Sequence, residues 1–388
     1  IMQVTDSIRY VGVNDHQVDL FEGQYQVPNG MSYNSYVILD EKVAVMDTVD
    51  IHFGEEWMAN VKAVLAGRTP DYLIVQHMEP DHSANISRFL EEYPQATVVA
   101  TAKAFVMMKQ FFGNDYADRR IVASEMSELS LGAHTLHFVM APMVHWPEVM
   151  VTYESSEKVL FSADGFGKFG ALDCDEPWDD EARRYYISIV GKYGVQVQNL
   201  LKKAATLEIK MICPLHGPVW RENLGWFIEK YDTWSSYKPE DQAVMIAYAS
   251  IYGNTENAAE ILASKLADKG VKNIAMYDVS VTDPSVIVSE SFRCSHLVFA
   301  APSYNGGIFT KMETVLSELK AHSLQNRTVA IMENGTWAPV AGRQMREIFA
   351  GMKNIELLEE GVTIRSAVKE AQEASLEALA EKIASSLQ

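Results

Sequence analysis

The segment "HMEPDHSANI", residues 77–86, carries two histidines and two carboxylates within six positions and follows the apolar run "YLIVQ". Imidazole and carboxylate groups are the usual ligands of zinc, iron and manganese in proteins. A single histidine near the end of a strand is more often a hydrogen-bonded polar side chain than a ligand. Because four such groups are clustered here in the pattern H-x-E-x-D-H, a metal site is the better interpretation.

Three further residues of the same kind follow other predicted strands. His145 comes four residues after "HFVMA", Asp164 lies at the end of "VLFSA", and His216 comes three residues after "MIC". Loops at the carboxyl ends of strands converge, so one site can collect seven ligands: His77, Glu79, Asp81, His82, His145, Asp164 and His216. Seven exceed the four of tetrahedral zinc and suit two metal ions with Asp164 as the bridge.

The elements that would position these residues alternate up to about residue 225. "SYVIL" and "VAVMD" predict a hairpin, and further short β-branched runs predict strands. Between them, stretches such as "GEEWMANVKAVLAG" and "TAKAFVMMKQFF" have the i, i+3, i+4 apolar spacing of helices. This pattern predicts stacked sheets covered by helices.

A polar stretch near residue 236, "SYKPEDQ", predicts a linker to a second domain. The sequence pattern of this domain differs from that of the first. The strand "VMIAY" leads into a loop at 249–255 that is rich in hydroxyl and amide groups, and Thr255 is the expected N-cap of the next helix. Such a loop binds an anion through backbone N–H groups and the helix dipole. It contains no Lys or Arg, which distinguishes it from the P-loop.

Five strands with intervening helices in about 145 residues predict a doubly wound parallel sheet, whose ligands bind at the carboxyl ends of the strands. Three loops fall there, and Tyr304 and Trp337 offer flat faces to an aromatic ring, although Tyr304 can also simply cover the sheet. The predicted cofactor-binding residues are Ser250, Ile251, Tyr252, Gly253, Asn254, Thr255, Pro302, Ser303, Tyr304, Asn305, Gly306, Asn334, Gly335, Thr336 and Trp337.

Composition excludes several classes of protein. With 33 basic and 52 acidic residues the net charge is −19, which opposes binding to nucleic acid. No long apolar run and no signal peptide are visible, so we expect a cytoplasmic protein that does not enter a membrane. Three cysteines without C-x-x-C spacing argue against a disulfide framework, a zinc ribbon or a rubredoxin-type iron site.

The H-x-E-x-D-H segment, together with "HW", "SADGFG" and "LHGPVW", resembles the diiron domain of flavodiiron proteins, a branch of the metallo-β-lactamase fold. "SIYGNTE" resembles the phosphate loop of flavodoxin, and the order of the two halves is that of the family. The resemblance implies an α/β fold with a metallo-β-lactamase-like αββα sandwich over residues 1–240. A flavodoxin-like doubly wound parallel sheet that binds FMN would follow over residues 241–388.

The same resemblance implies a division of the ligands between two irons. His77, Glu79 and His145 would hold one iron, Asp81, His82 and His216 the other, and Asp164 would bridge them. Glu79 stands where hydrolytic branches of the fold have a second histidine, which favours iron over zinc. The family often places an aromatic residue near the irons. Tyr193 is therefore a candidate catalytic residue, with core packing an equal alternative, and Trp146 is expected in the core.

The implied activity is an oxidoreductase that reduces O2 to water, NO to N2O, or both, with electrons delivered through FMN. We expect a rubredoxin or similar redox protein as the donor, and a head-to-tail homodimer or a dimer of dimers. Two other classes stay open: a zinc-dependent hydrolase with an appended flavodoxin domain, and an electron carrier whose metal site is vestigial.

Overall fold

A computed structural model describes residues 2–387 of the chain. The chain divides between Asp232 and Thr233 into two compact units, and each unit has a hydrophobic core of its own. The predicted boundary between residues 240 and 241 lies a few residues beyond this division and stays a prediction.

From residue 2 onwards, the first unit is built from short strands, two 3-10 helices and seven α-helices, and the last α-helix extends past the division at Asp232. The strands are β1 (Met2–Gln3), β2 (Ile8–Tyr10), β3 (Val13–Asp15), β4 (Leu20–Phe21), β5 (Tyr25–Gln26), β6 (Met31–Tyr33), β7 (Tyr36–Ile38), β8 (Ala44–Met46), β9 (Tyr72–Ile74), β10 (Thr97–Thr101), β11 (Arg120–Ala123), β12 (Glu128–Ser130), β13 (Thr135–Met140), β14 (Met150–Glu154), β15 (Val159–Phe161) and β16 (Met211–Cys213). The helices are α1 (Gly54–Leu65), α2 (Pro80–Ser83), α3 (Ile86–Glu92), α4 (Ala102–Phe112), α5 (Trp178–Ile189), α6 (Gly194–Ala204) and α7 (Leu224–Ser235).

Two stacked sheets form the core of this unit. One has the strand order β1-β2-β7-β8-β9-β10-β11, and the other runs from β12 to β16 in sequence order. Side chains of both sheets meet in a single cluster, in which Ile74 and Val99 of the first sheet join Phe138 and Phe161 of the second. The predicted hairpin is the antiparallel pair β7 and β8.

Helices cover the sandwich with one apolar stripe each. On α1 the buried residues include Trp57, Val61 and Leu65, which are spaced four residues apart. On α4 the buried residues include Ala104 and Met108, also four apart. The prediction of stacked sheets covered by helices is confirmed.

The second unit contains a single larger sheet. Its strands are β17 (Asp241–Tyr248), β18 (Ile274–Asp278), β19 (Cys294–Tyr304), β20 (Gly307–Ile308), β21 (Arg327–Asn334), β22 (Ile355–Leu357) and β23 (Val362–Ile364). Its helices are α8 (Asn254–Asp268), α9 (Pro284–Arg293), α10 (Thr310–Ala321), α11 (Ala341–Ala350) and α12 (Glu370–Ser386).

The strand order of this sheet is β18-β17-β19-β21-β22, with β23 also paired to β21. These pairs are parallel, and only the short β20 returns antiparallel to β19. When the parallel strands β17, β18, β19, β21 and β22 are numbered 1 to 5, the order is 2-1-3-4-5, which is the doubly wound order of flavodoxin-like sheets. The prediction for the second half is therefore confirmed.

The N-cap prediction at Thr255 is wrong. Helix α8 begins at Asn254, and its N-cap is Gly253, at a φ of +91° that a residue without a Cβ adopts freely. The capping oxygen comes instead from Ser250, whose hydroxyl accepts hydrogen bonds from the N–H groups of Gly253 at 3.0 Å and Glu256 at 3.2 Å. Because the capping hydroxyl belongs to Ser250 and the helix begins at Asn254, Thr255 lies inside the first turn, where it is buried.

The helices within residues 2–387 include none with both the length and the apolar composition of a membrane span. All three cysteines are free thiols, and Cys213 and Cys294 are buried.

Candidate functional site

The ends of four strands of the first unit deliver the predicted ligands. His77 follows β9, His145 follows β13, Asp164 follows β15 and His216 follows β16. After His77, the one-turn helix α2 begins with Pro80, whose missing N–H is tolerated at that position and whose fixed φ favours a helix start. This turn carries Asp81 and His82, and all seven predicted ligands are at most 8% exposed.

The structure brings the seven residues together as two adjacent groups. In the first group, Nε2 of His145 lies 3.0 Å from Oε2 of Glu79 and 3.2 Å from Nε2 of His77. In the second, Nε2 of His216 lies 3.0 Å from Nε2 of His82 and 3.2 Å from Oδ2 of Asp81. Within each group the potential ligand atoms lie within 4.8 Å of one another.

Asp164 lies between the groups and turns one carboxylate oxygen towards each. Its Oδ2 is 3.2 Å from Nε2 of His77 and 3.3 Å from Nε2 of His145. Its Oδ1 is 3.2 Å from Nε2 of His82 and 3.7 Å from Nε2 of His216. This is the arrangement of a carboxylate that bridges two cations.

The donor atoms fit two metal ions. The Nδ1–H of His77 donates to Glu148 at 2.8 Å, and that of His216 donates to the carbonyl of Ser32 at 2.6 Å. In these tautomers the Nε2 atoms carry lone pairs, which face other imidazole nitrogens at 3.0–3.2 Å. Both carboxylate oxygens of Asp81 and of Asp164 are buried and have no hydrogen-bond partner among residues 2–387. Cations between these atoms would satisfy all of them.

The pKa values of the carboxyl groups in the cluster also favour metal binding. Burial alone would raise the pKa of Asp164, but the surrounding histidines, His77 foremost, outweigh it and hold the pKa well below its usual range. Burial alone would likewise raise the pKa of Glu79, but its close contacts with His145 and His77 outweigh the burial and lower the pKa. The carboxylates are therefore available in their ionised, ligating form.

Three residues that sequence reasoning missed support the ligands. Glu148 accepts from His77 and also from the backbone N–H of Met78 at 2.7 Å. Ser32 accepts from His216 through its carbonyl and from the N–H of Gly217 through its hydroxyl. The carboxyl group of Glu22 hydrogen-bonds to Glu79, and partial desolvation of this carboxyl group, followed by the contact itself, raises the pKa of Glu22 to about 8. No motif marks them, because each acts on a residue far away in the chain.

The aromatic residues near the cluster are only partly those expected. Trp146 packs edge-on against His77 with ring centroids 5.3 Å apart, and it is half-buried beside the ligands. Tyr185, which is buried, packs against His216 at 5.4 Å. Tyr193 is half-buried at the end of the 3-10 helix Gly191–Tyr193, and within residues 2–387 no ring contact joins it to a histidine of the cluster. Its catalytic role stays a prediction.

In the second unit, the three predicted loops line one cavity of about 670 Å³. It contains every predicted cofactor-binding residue except Gly253, and it adds Ala338, Val340 and Ser366. Trp337 is 81% exposed and Tyr304 is 52% exposed, so both aromatic faces are open to a ligand. This volume is within the usual range of pockets that bind small molecules.

Hydrogen bonds between the loops fix the shape of this cavity. The hydroxyl of Ser303 accepts from the N–H groups of Val340 at 2.8 Å and Ala341 at 3.1 Å. The side chain of Asn334 donates to the carbonyl of Ser366 at 2.9 Å and accepts from its N–H at 3.0 Å. The walls are therefore preformed.

Comparison with known proteins adds an independent observation. Residues 31–217 match a family model described as "ODP family beta lactamase". A protein named "Nitric oxide reductase" from Moorella thermoacetica is 31% identical over 372 residues, which cover 93% of this chain and 92% of that protein. The chain belongs to the flavodiiron protein family.

Solved structures of flavodiiron proteins are similar to this one over nearly their whole length. The rubredoxin oxygen:oxidoreductase from Desulfovibrio gigas has 27% identity and a TM-score of 0.92, covering 100% of this chain and 98% of that chain. The flavodiiron protein from Giardia intestinalis has 25% identity and a TM-score of 0.93, covering 99% and 97%. The predicted family, its two-part fold and the prediction of an oxidoreductase are confirmed, and the hydrolase alternative loses support.

Proposed function

We propose that this flavodiiron protein reduces O2 to water, NO to N2O, or both, at a diiron site that receives electrons through FMN. The position of Asp164 supports this most directly, because its two oxygens face two separate groups of ligands. A site for two cations that share one carboxylate is what two-electron storage beside a small substrate requires.

In this proposal each ligand group holds one iron. His77, Glu79 and His145 would hold the first, Asp81, His82 and His216 would hold the second, and Asp164 would be shared by both. When bound, the two irons supply electron storage and a binding position for a diatomic molecule. The protein's own contribution is to orient the ligands through Glu148 and Ser32, and to enclose the site.

Glu79 is the residue that separates this proposal from a hydrolase. Hydrolytic members of the fold have a histidine at this position, whereas a carboxylate is a harder ligand that suits iron. Its Oε2 lies within 3.0–3.3 Å of His145 and His77, so it can share a cation with both. We therefore expect iron rather than zinc in the purified protein.

FMN is the cofactor we propose for the cavity of the second unit. The N-terminus of α8 and the hydroxyl and amide groups of 250–255 would neutralise its phosphate without a basic residue. Tyr304 and Trp337 would flank the isoalloxazine ring. We assign residues 1–240 to the diiron domain and 241–388 to the FMN domain. A rubredoxin as electron donor and a head-to-tail homodimer belong to the same proposal.

The test is to load the protein with iron and FMN, reduce it anaerobically with a rubredoxin and its reductase, and measure O2 and NO consumption in parallel. Asp164→Asn should abolish turnover of both gases while FMN stays bound. Asp173→Asn changes an exposed aspartate of the same unit and should leave turnover unchanged. Zinc instead of iron in the protein as purified would refute the proposal. An Asp164→Asn variant that still consumes O2 or NO would refute it as well.

A further inference from the structure

A second cavity, of about 30 Å³, lies inside the first unit and is almost entirely apolar. One wall is formed by strands β13, β14 and β15 through Val139, Val151 and Leu160, and the opposite wall is formed by helix α6 through Val197 and Leu201. Val139, Val151, Leu160 and Val197 are at most 4% exposed. The space therefore lies between the second sheet and the helix that covers it.

The two hydroxyl groups on the wall are already engaged. The hydroxyl of Ser162 donates to the carbonyl of Gly165 at 2.6 Å, and that of Tyr231 accepts from the N–H of Phe166 at 2.6 Å. A buried water needs two to four polar partners, and an apolar cavity without them stays dry. The volume exceeds the roughly 10–15 Å³ that one water-sized molecule requires. The cavity thus suits one small uncharged molecule better than water.

The cavity is directly connected along the chain to two of the proposed iron ligands. Val144, on its wall, precedes His145, and Gly165, also on its wall, follows Asp164. Residues 162–165 form a tight turn, in which the N–H of Gly165 donates to the carbonyl of Ser162 at 2.9 Å. This turn places Asp164 beside the other proposed ligands, and its first and last residues, Ser162 and Gly165, line the cavity.

We propose that this cavity holds O2 or NO on its way to the irons, as a gas reservoir within the first unit. The inference rests on the proposed function and deepens it. Both gases are small, uncharged and poorly solvated by water, so an apolar space concentrates them relative to solvent. Leu200, Leu201 and Ala204 on α6 are only half-buried, which places the entrance on the side of this helix.

Xenon tests the reservoir without requiring turnover, because it occupies dry apolar cavities of proteins. We would measure xenon binding by 129Xe NMR on the iron- and FMN-loaded protein and on three variants of α6. Val197→Phe fills the cavity, since Val197 is 1% exposed on its wall; Val195→Phe makes the same change at a position 68% exposed. Ala204→Leu fills the same cavity by a smaller amount and serves if Val197→Phe does not fold.

The parent protein and Val195→Phe should bind xenon, and the filled variants should lose it. The filled variants should also show kcat/KM for the gas lowered by about threefold or more, with kcat at saturating gas unchanged, since only entry is affected.

If the parent protein consumes O2 or NO normally but binds no xenon, the reservoir proposal is refuted and the proposed function is not. The same holds if xenon is lost without any change in kcat/KM. A parent protein that binds xenon but consumes neither gas would refute the proposed function, and the role of the cavity with it.

Discussion

Glu148 holds the first group of ligands in place without belonging to it. Its carboxylate is buried and accepts from both His77 and the N–H of Met78. We expect Glu148→Gln to weaken iron binding about 10- to 100-fold, the usual effect of removing a carboxylate that orients a metal-ligating histidine. The measurement is iron per chain after dialysis against a graded series of chelator concentrations.

Glu154→Gln is the matched control for this change. Glu154 is also fully buried and also accepts two hydrogen bonds, in its case from the backbone N–H groups of Ser156 and Glu157, but within residues 2–387 it contacts none of the proposed ligands. Both variants should lose some stability, and only Glu148→Gln should lose iron. Equal iron retention in the two would show that Glu148 serves folding alone.

At the scale of residues, the sequence predicts a ligand where its position relative to a strand is enough. His77 and Asp164 come directly after strands, so the convergence of strand ends predicts that they meet. Ser32 could not be found in this way, because it supports His216 through a backbone carbonyl that any residue possesses. Glu22 reaches Glu79 only because the chain folds back, and one sequence contains no signal for that contact.

At the scale of elements, the turn between β7 and β8 is joined to the turn before β13 by Asp40 and His134. Oδ2 of Asp40 accepts from both the backbone N–H and the ring Nδ1 of His134, at 2.7 and 2.8 Å. Burial alone would raise the pKa of Asp40, but these hydrogen bonds outweigh it and lower the pKa to about 2. Burial would lower the pKa of His134, but the bond to Asp40 outweighs it and raises the pKa.

The directions of the two pKa shifts define the pH range in which Asp40 and His134 stabilise the fold. The contribution of His134 is fully present below its unfolded pKa of 6.5 and is lost as pH rises through its raised folded pKa. The contribution of Asp40 is present above its unfolded pKa of 3.8 and is lost as pH falls through about 2. The stabilising contributions of His134 and Asp40 are therefore both fully present between about pH 4 and 6.5.

We therefore expect the Tm difference between the parent protein and His134→Gln to be largest near pH 5–6 and to shrink as the pH rises above 6.5. Thermal unfolding of both proteins across this range is the measurement. His16→Gln is the control, because His16 pairs with Asp173 at an exposed position and should shift Tm little at any pH. If the Tm difference between the parent protein and His134→Gln does not change with pH, the protonation of His134 does not contribute to stability as proposed.

The loop before α8 combines two roles, capping the helix and shaping the cavity of the second unit. Ser250→Ala removes the hydroxyl that accepts from Gly253 and Glu256. It should lower stability by about 1 kcal/mol, the usual effect of losing a cap. It should also weaken FMN binding by roughly three- to tenfold, which corresponds to about one hydrogen bond. Quenching of flavin fluorescence on titration of the FMN-free protein measures the second effect.

Asp283→Ala separates the two roles. Asp283 caps α9 by accepting from the N–H of Ser285 at 2.9 Å, and it is not among the residues that line the cavity. Its loss should destabilise the protein to a similar extent and leave FMN affinity unchanged. If both variants weaken FMN equally, general destabilisation is the cause and the loop has no special role.

The same loop marks the limit of sequence reasoning at this scale. The sequence predicts the strand, the loop and the helix, but it points to Thr255 as the cap, because threonine is a common N-cap. Whether Gly253 takes a positive φ is decided by how the loop closes on Ser250, which the order of residues alone does not reveal. Element types follow from hydrophobic periodicity, whereas their ends depend on such local closure.

At the scale of the whole molecule, two compact units carry two different predicted cofactor sites. One has a sandwich of two sheets with the cluster of seven ligands at its strand ends, and the other has a parallel sheet with the larger cavity at its strand ends. Because each unit has its own core, loss of one cofactor should not unfold the site of the other. The two sites can therefore be removed one at a time.

Electron counting tests whether both sites operate in one chain. FMN takes up two electrons and two ferric irons take up one each, so anaerobic titration of the fully loaded protein with a reductant should consume about four electrons per chain. Asp164→Asn loaded in the same way should consume about two, all of them in the flavin absorbance, because the irons are lost and the second unit is intact. A Tyr304→Ala, Trp337→Ala variant that has lost FMN should show the complementary two electrons at iron. If Asp164→Asn also lost the flavin electrons, the two sites would not be independent, and the assignment of one cofactor to each unit would be wrong.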